Sequence, residues 1–117
     1  MDEYKVEFKG PGLDYYDKDG KPMTMEEWGD KHSNFEYKLV ARDDLGYATV
    51  STVWLGLDHG FTPGAPPVIF ETMIFTEDED SDYSDWQDRY CTEAEALKGH
   101  ERALKLVMPL ITHDHQD

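Results

Sequence analysis

The sequence predicts one α+β domain over residues 1–117: an antiparallel sheet of about four strands, with one long C-terminal helix packed on a face and one short helix near residue 27. Three observations predict this fold class. Several segments alternate apolar and polar residues with a period of two, turn residues separate these segments, and one C-terminal segment repeats apolar residues at helical spacing. A chain of 117 residues with 38% hydrophobic residues is long enough to bury a core of its own.

The N-terminal part predicts a strand, a loop and a short helix. Residues 3–9 alternate as a strand does, and the glycines and prolines of residues 10–23 indicate a loop or a small hairpin. Thr24 and Glu27 have the spacing of a capping box, in which each side chain accepts a hydrogen bond from the other residue's backbone N–H. A helix therefore begins here, and Gly29 is expected to keep it short.

The central part predicts a hairpin and a third strand. Strands at about 35–42 and 47–56 flank a turn at 43–46. After a Gly- and Pro-rich loop at 60–67, residues 68–75 form a strand that is apolar on both faces, so we expect it to be central and covered on both sides. Alternation divides the second hairpin strand into two faces: Tyr47, Thr49, Ser51, Val53 and Leu55 share one, and Ala48, Val50, Thr52 and Trp54 share the other.

The C-terminal part predicts an acidic loop at 76–88 and then the long helix. Thr92 and Glu95 form a second capping box at the start of this helix. Gly99 is expected to weaken the helix by about 1 kcal/mol relative to alanine, and Pro109 is expected to end it or to kink its last turn. The apolar stripe expected to lie on the sheet consists of Leu97, Leu104, Val107, Met108 and Ile111.

The charge balance restricts the class of partner. There are 26 acidic against 11 basic residues, a net charge of -15, which repels nucleic acid and anionic lipid. Neither nucleic acid nor a membrane is therefore expected as a direct partner, whereas a basic protein surface is. The single Cys91 excludes a disulfide framework and Cys-rich zinc sites, and no signal peptide or membrane span is recognised, so we expect a cytoplasmic setting.

The acidic segment 77–88 is the first candidate site. Its seven carboxylates give it a density of negative charge similar to that of a phosphate backbone. Two aromatic side chains among them could anchor the segment in a basic groove. The alternative is a solvated acidic loop. Calcium binding of the EF-hand type is excluded, because Tyr83 stands where that loop needs glycine. The candidate partner-binding residues are Asp78, Glu79, Asp80, Asp82, Tyr83, Asp85 and Trp86.

The second candidate is a ligand or metal site around Asp58, His59, Glu71 and His100. Asp58 and His59 follow a strand end, where chemistry is often placed, although a simple turn is the alternative. Glu71 falls in an apolar row and needs a partner, such as His59, Arg89, Arg102 or a backbone amide, unless that face is exposed. No short metal-binding spacing supports the group. No residue is assigned a catalytic role, and no cofactor is predicted.

Three segments in order, VSTVWLGLDHGF, PVIFETMIF and RYCTEAEALKGHE, resemble a small-protein family widespread in bacteriophage and prophage genomes. The resemblance covers about residues 47–101. It implies a phage origin and a host-cytoplasm setting. The positions that carry it are Trp54, Leu55, Gly56, Asp58, His59, Phe70, Glu71, Thr72, Met73, Arg89, Tyr90, Thr92, Glu95, Gly99 and His100.

Three functions follow as hypotheses. A small acidic phage protein without a catalytic motif suggests a counter-defence inhibitor that occupies the basic groove of a host nucleic-acid enzyme, of the CRISPR or restriction type. The alternative is a small-ligand- or metal-binding protein, possibly enzymatic, that uses Asp58, His59, Glu71 and His100. A homodimer paired through an exposed edge strand is the third hypothesis.

Overall fold

A four-stranded antiparallel sheet and a long helix across one face form the body of the molecule. The computed structural model describes residues 15–60, 62, 64–78, 81 and 83–116, with side chains described as far as Met108. The elements are β1 (Tyr15–Tyr16), β2 (Pro22–Met23), α1 (Met25–His32), α2 (Phe35–Lys38), β3 (Leu39–Asp44), β4 (Ala48–Trp54), β5 (Phe70–Thr76), β6 (Gln87–Tyr90) and α3 (Glu93–Gln116).

The sheet has the strand order β3-β4-β5-β6, and each neighbouring pair is antiparallel. The predicted α+β class is confirmed. The fourth strand of this sheet is β6, because Gln87–Tyr90 pairs with Phe70–Met73. The first two residues of β6 had been predicted to belong to the acidic loop. The strand predicted at residues 3–9 lies outside the described residues.

The segment before the sheet forms a small hairpin and two helices. β1 pairs with β2, and the capping box is present: Glu27 N donates to Thr24 Oγ1 at 3.1 Å, and Thr24 N donates to Glu27 Oε1 at 2.9 Å. The first hairpin strand was predicted to begin near residue 35, and this prediction is wrong for residues 35–38, which are helical. Asn34 caps the four-residue helix α2 by accepting hydrogen bonds from the N–H groups of Glu36 and Tyr37, so β3 begins only at Leu39.

The sheet face that contacts α3 is set by alternation along β4. Burial alternates along this strand, and the four residues predicted to share a face are the buried ones: Ala48, Val50, Thr52 and Trp54. β5 is central, as predicted, but it is not covered on both sides along its whole length. Phe75, on the face away from α3, is 51% exposed.

The helix face in contact with the sheet matches the predicted stripe in part. Val107 is buried and Leu104 packs against the core, whereas Leu97 and Met108 are exposed, and the side chain of Ile111 lies outside those described. Among the described side chains of α3, the buried residues are Ala96, Gly99, His100, Ala103 and Val107. The sheet presents large side chains, Trp54, Phe70 and Tyr90, and small residues on the helix allow α3 to approach them closely. The expectation that Pro109 ends the helix is wrong, since α3 continues beyond it to Gln116, and the alternative of a kink stays a prediction.

Candidate functional site

Asp58 closes the loop between β4 and β5. Its Oδ1 accepts hydrogen bonds from Gly60 N at 2.8 Å and from Val68 N at 2.9 Å, and His59 N donates to Val68 O at 2.9 Å. One carboxylate oxygen therefore joins the two ends of the loop. This contact pattern supports the turn interpretation of Asp58 and His59, in which a carboxylate satisfies backbone N–H groups.

Glu71 has a side-chain partner on the neighbouring strand. Arg89 Nε donates to Glu71 Oε2 at 2.9 Å, and the two residues are directly opposite in the β5–β6 register. Glu71 is only 9% exposed, so its carboxylate needs this ion pair. Arg89 was one of the four partners expected from the sequence.

His100 joins the helix to two strands. Its Nδ1 lies 2.7 Å from Thr52 Oγ1, and its Nε2 lies 2.8 Å from Asp43 Oδ2. Thr52 Oγ1 in turn lies 2.5 Å from Thr72 Oγ1. When His100 donates its Nε2 proton to Asp43, its Nδ1 accepts a hydrogen bond from the Thr52 hydroxyl. The Thr52 oxygen in turn accepts from the Thr72 hydroxyl, so the side-chain atoms of this hydrogen-bonded series, which runs from β3 through α3 to β5, all have partners.

The order Asp43, His100, Thr52 resembles the acid–base–nucleophile order of hydroxyl-dependent hydrolases. Thr52 and Thr72 are both 0% exposed, so no substrate reaches either hydroxyl. His100 is 4% exposed. The chain of hydrogen bonds therefore acts as a buried polar network that fixes α3 on the sheet.

The four residues of the predicted ligand site do not meet. His100 contacts the face of the sheet that bears Thr72, and Glu71, the next residue on β5, points to the opposite face. Asp58 and His59 lie in the loop beyond the end of β4. Within the described residues, no group of three or more His, Cys, Asp and Glu side chains is arranged to hold a metal ion.

The aromatic residues of the acidic segment face inward. Tyr83 and Trp86 are half-buried and pack against the core cluster that contains Val50 and Ile74. These two side chains attach the segment to the body of the protein. Asp78 and Asp85 are exposed, whereas Glu79, Asp80 and Asp82 lie outside the described residues.

A shallow cavity of about 220 Å³ lies where β3 and β5 end and β4 begins. Two carboxylates and two aromatic rings line it, and we call these four residues the acidic–aromatic surface: Asp44, Tyr47, Phe75 and Glu77. The register explains the grouping, because Thr49 pairs with Asp44 on one side and with Phe75 on the other. Sequence reasoning missed this surface, and its only sequence signal is Phe75 beside Glu77 at the end of a strand.

Hydrogen bonds hold two members of this surface in place. Asp44 Oδ1 accepts a hydrogen bond from Gly46 N at 3.0 Å, and Tyr47 donates its hydroxyl proton to Val107 O at 2.5 Å. Phe75 is 51% exposed and Tyr47 is 36% exposed. The result is an exposed phenylalanine ring in a cavity that two carboxylates also line, a combination that suits a lysine or arginine side chain.

A cluster of rings packs beneath the β1–β2 hairpin. The ring centroids of Tyr37 and Trp54 lie 4.9 Å apart in an edge-to-face contact. Those of His32 and Trp28 lie 4.4 Å apart, with the two ring planes inclined by 30°. Burial lowers the pKa of His32 below its ordinary 6.5, and the positive charge of Lys38 lowers it further. Both tryptophan N–H groups donate to backbone carbonyls, so this cluster is a second, aromatic core.

Neither a membrane-spanning helix among the described residues nor a similar protein of known function indicates what this chain does. No helix in the described part of the chain is both long and apolar enough to cross a membrane. No protein-family model, curated protein or solved structure matches this chain.

Proposed function

We propose that this protein binds a basic protein surface, that of a nucleic-acid enzyme, and inhibits the enzyme by occupying its phosphate-binding groove. The observation that carries the proposal is the acidic–aromatic surface. Its carboxylates, Asp44 and Glu77, line the same cavity as exposed Phe75.

The proposed contact combines an apolar anchor with a charged rim. Binding energy at interfaces concentrates in a few aromatic or arginine residues near the centre, while surrounding charges set the specificity and the association rate. Phe75 is the anchor, because more than half of it is exposed although it belongs to a central strand. Asp44 and Glu77 are the nearest charged groups of the rim.

The acidic segment beyond β5 extends the same charged region. Glu77 and Asp78 continue directly from the strand end, and the sequence adds Glu79, Asp80 and Asp82. The net charge of -15 favours encounter with a cationic partner over long range, with strong dependence on ionic strength. Half-buried Tyr83 and Trp86 hold this segment to the core, which reduces the entropy lost when it meets a partner.

The resemblance to phage and prophage proteins suggests the identity of the partner. It favours action in the cytoplasm of a bacterial host, where CRISPR effectors and restriction enzymes carry basic grooves. Counter-defence is the biological role that we propose for the inhibition.

The test is capture of host proteins by the immobilised chain, followed by assay of the captured nuclease on DNA. Capture is expected at about 0.1 M salt and is expected to fall sharply at about 1 M, where the Debye length drops from about 10 Å to about 3 Å. Phe75→Ser, and separately Asp44→Asn with Glu77→Gln, are expected to weaken both capture and inhibition by about tenfold or more.

Matched controls separate this surface from general acidity. Glu36→Gln with Glu101→Gln removes the same two negative charges from exposed positions elsewhere, and Phe35→Ser removes a phenylalanine that is 60% exposed on α2. The controls are expected to bind and inhibit like the parent. Equal loss in the test and control variants would reject the acidic–aromatic surface as the contact, and a parent chain that retains no basic enzyme would reject the function.

A further inference from the structure

A cavity of about 300 Å³ lies at the opposite end of the sheet from the acidic–aromatic surface, between the edge strand β6 and the first half of α3. Its lining residues are Arg89, Tyr90, Cys91, Glu95, Lys98 and Arg102. Three bases against one acid line this cavity, in a chain that has 11 basic residues and a net charge of -15. The lining of this cavity is therefore richer in bases than the chain as a whole.

The single acid is already engaged. Glu95 Oε1 accepts hydrogen bonds from Cys91 N at 3.2 Å and from Thr92 N at 3.1 Å, as the capping residue of α3. Its carboxylate is held at the start of the helix, where these backbone N–H groups offset part of its charge.

Two of the three basic side chains have N–H groups available to bind a ligand. Lys98 is exposed, and no ion pair joins it to another described residue. Arg102 is paired only loosely, since its Nη2 lies 3.7 Å from Asp88 Oδ2 and its side chain is 60% exposed. These two residues are four apart on α3, so they lie on the same side of the helix. Arg89 also lines the cavity, but its Nε is engaged by the Glu71 carboxylate, which offsets its charge, so Lys98 and Arg102 are the bases that can hold a ligand.

The Cys91 side chain adds no charge of its own to this cavity. Burial raises the pKa of Cys91, and the carboxylates of Glu95 and Asp58 raise it further. At neutral pH the side chain is therefore an uncharged thiol and carries no negative charge that would repel a ligand.

We propose that this cavity binds a compact organic anion, whose phosphate or carboxylate group is held by Lys98 and Arg102. Guanidinium and ammonium groups donate charge-assisted hydrogen bonds to such oxygens. The volume lies at the lower end of the range for small-molecule sites, which limits the ligand to a small molecule. This site is separate from the surface proposed for the protein partner, so either proposal can fail without the other.

The test uses phenyl phosphate and benzoate, which share a ring and differ in the anionic group, each titrated into the ¹⁵N-labelled full chain. Saturable shifts of backbone amide signals are expected for residues 89–102, with the stronger ligand identifying the preferred anion. Lys98→Gln with Arg102→Gln is expected to weaken binding by about tenfold or more. Lys105→Gln, an exposed change on the same helix outside the cavity, is expected to leave the affinity unchanged.

Two results would overturn the proposal. One is the absence of a saturable shift at these residues with either ligand up to millimolar concentration. The other is equal affinity in the parent and the double variant, provided that circular dichroism shows that the variant is folded.

Discussion

His100 Nδ1 lies 2.7 Å from Thr52 Oγ1, and both residues are buried between the long helix and the sheet. Thr52→Val keeps the shape of the side chain but removes the hydroxyl, leaving His100 Nδ1 and the Thr72 hydroxyl without that partner. We expect a loss of about 1–3 kcal/mol in the free energy of unfolding, measured by urea denaturation. Thr49→Val, on the other face of the same strand, is the control and is expected to change stability by less than about 0.5 kcal/mol.

Gly99 is required by packing, although helix propensity favours alanine there. An added Cβ would overlap the ring and hydroxyl of Tyr90, and Gly99 is fully enclosed. Gly99→Ala is therefore expected to destabilise the fold by about 1–3 kcal/mol, because the ring must move.

Gly29→Ala is the matched control for this change. No atom lies within 4 Å of a Cβ added at Gly29 in the middle of α1, so the variant is expected to gain about 0.5–1 kcal/mol. Thermal unfolding of both variants checks the pair. A stabilised Gly99→Ala variant would contradict the close approach of Tyr90 to α3.

Cys91 is expected to react slowly with iodoacetamide. Burial raises the pKa of its thiol, and the negative charges of Glu95 and Asp58 act in the same direction, so less thiolate is present than in an unfolded chain at the same pH. The alkylation rate of the folded protein at about pH 8 should therefore lie below that of the protein in denaturant. A folded protein that reacts faster than the denatured one would show that Cys91 is an activated thiol.

His32 links stability to pH. Its pKa in the folded protein is lower than 6.5, so between the two values the unfolded chain binds more protons. The contribution of His32 is therefore fully present above pH 6.5 and is lost as the pH falls through this value towards the folded-state pKa. Unfolding midpoints measured from about pH 7.5 to about pH 5.5 are expected to fall less in His32→Gln than in the parent. Identical slopes would contradict the assignment.

Several elements were predictable because their signals are local. Thr24 with Glu27, and Thr92 with Glu95, make capping boxes from residues three apart, and both boxes form. The alternation that places Val50 and Thr52 on one face also needs only the period of a strand. The helical turn at α2 was missed because the Asn34 cap outweighed the apparent strand pattern that follows it.

The candidate sites were less predictable, because their members come from distant parts of the chain. Sequence alone gave Arg89 as one of four possible partners for Glu71, and only the β5–β6 register places the two side by side. The acidic–aromatic surface likewise exists because Asp44 and Phe75 flank the same residue of β4.

The sequence by itself determined the α+β class, the starts of α1 and α3, the two faces of β4 and the negative charge, since each depends on composition or on residues a few positions apart. The tertiary structure alone decided that His100 faces Thr52 and Asp43, and that small residues of α3 meet the sheet. Those outcomes depend on strand register and on how closely the helix approaches the sheet, which are properties of the packed core and of no single segment.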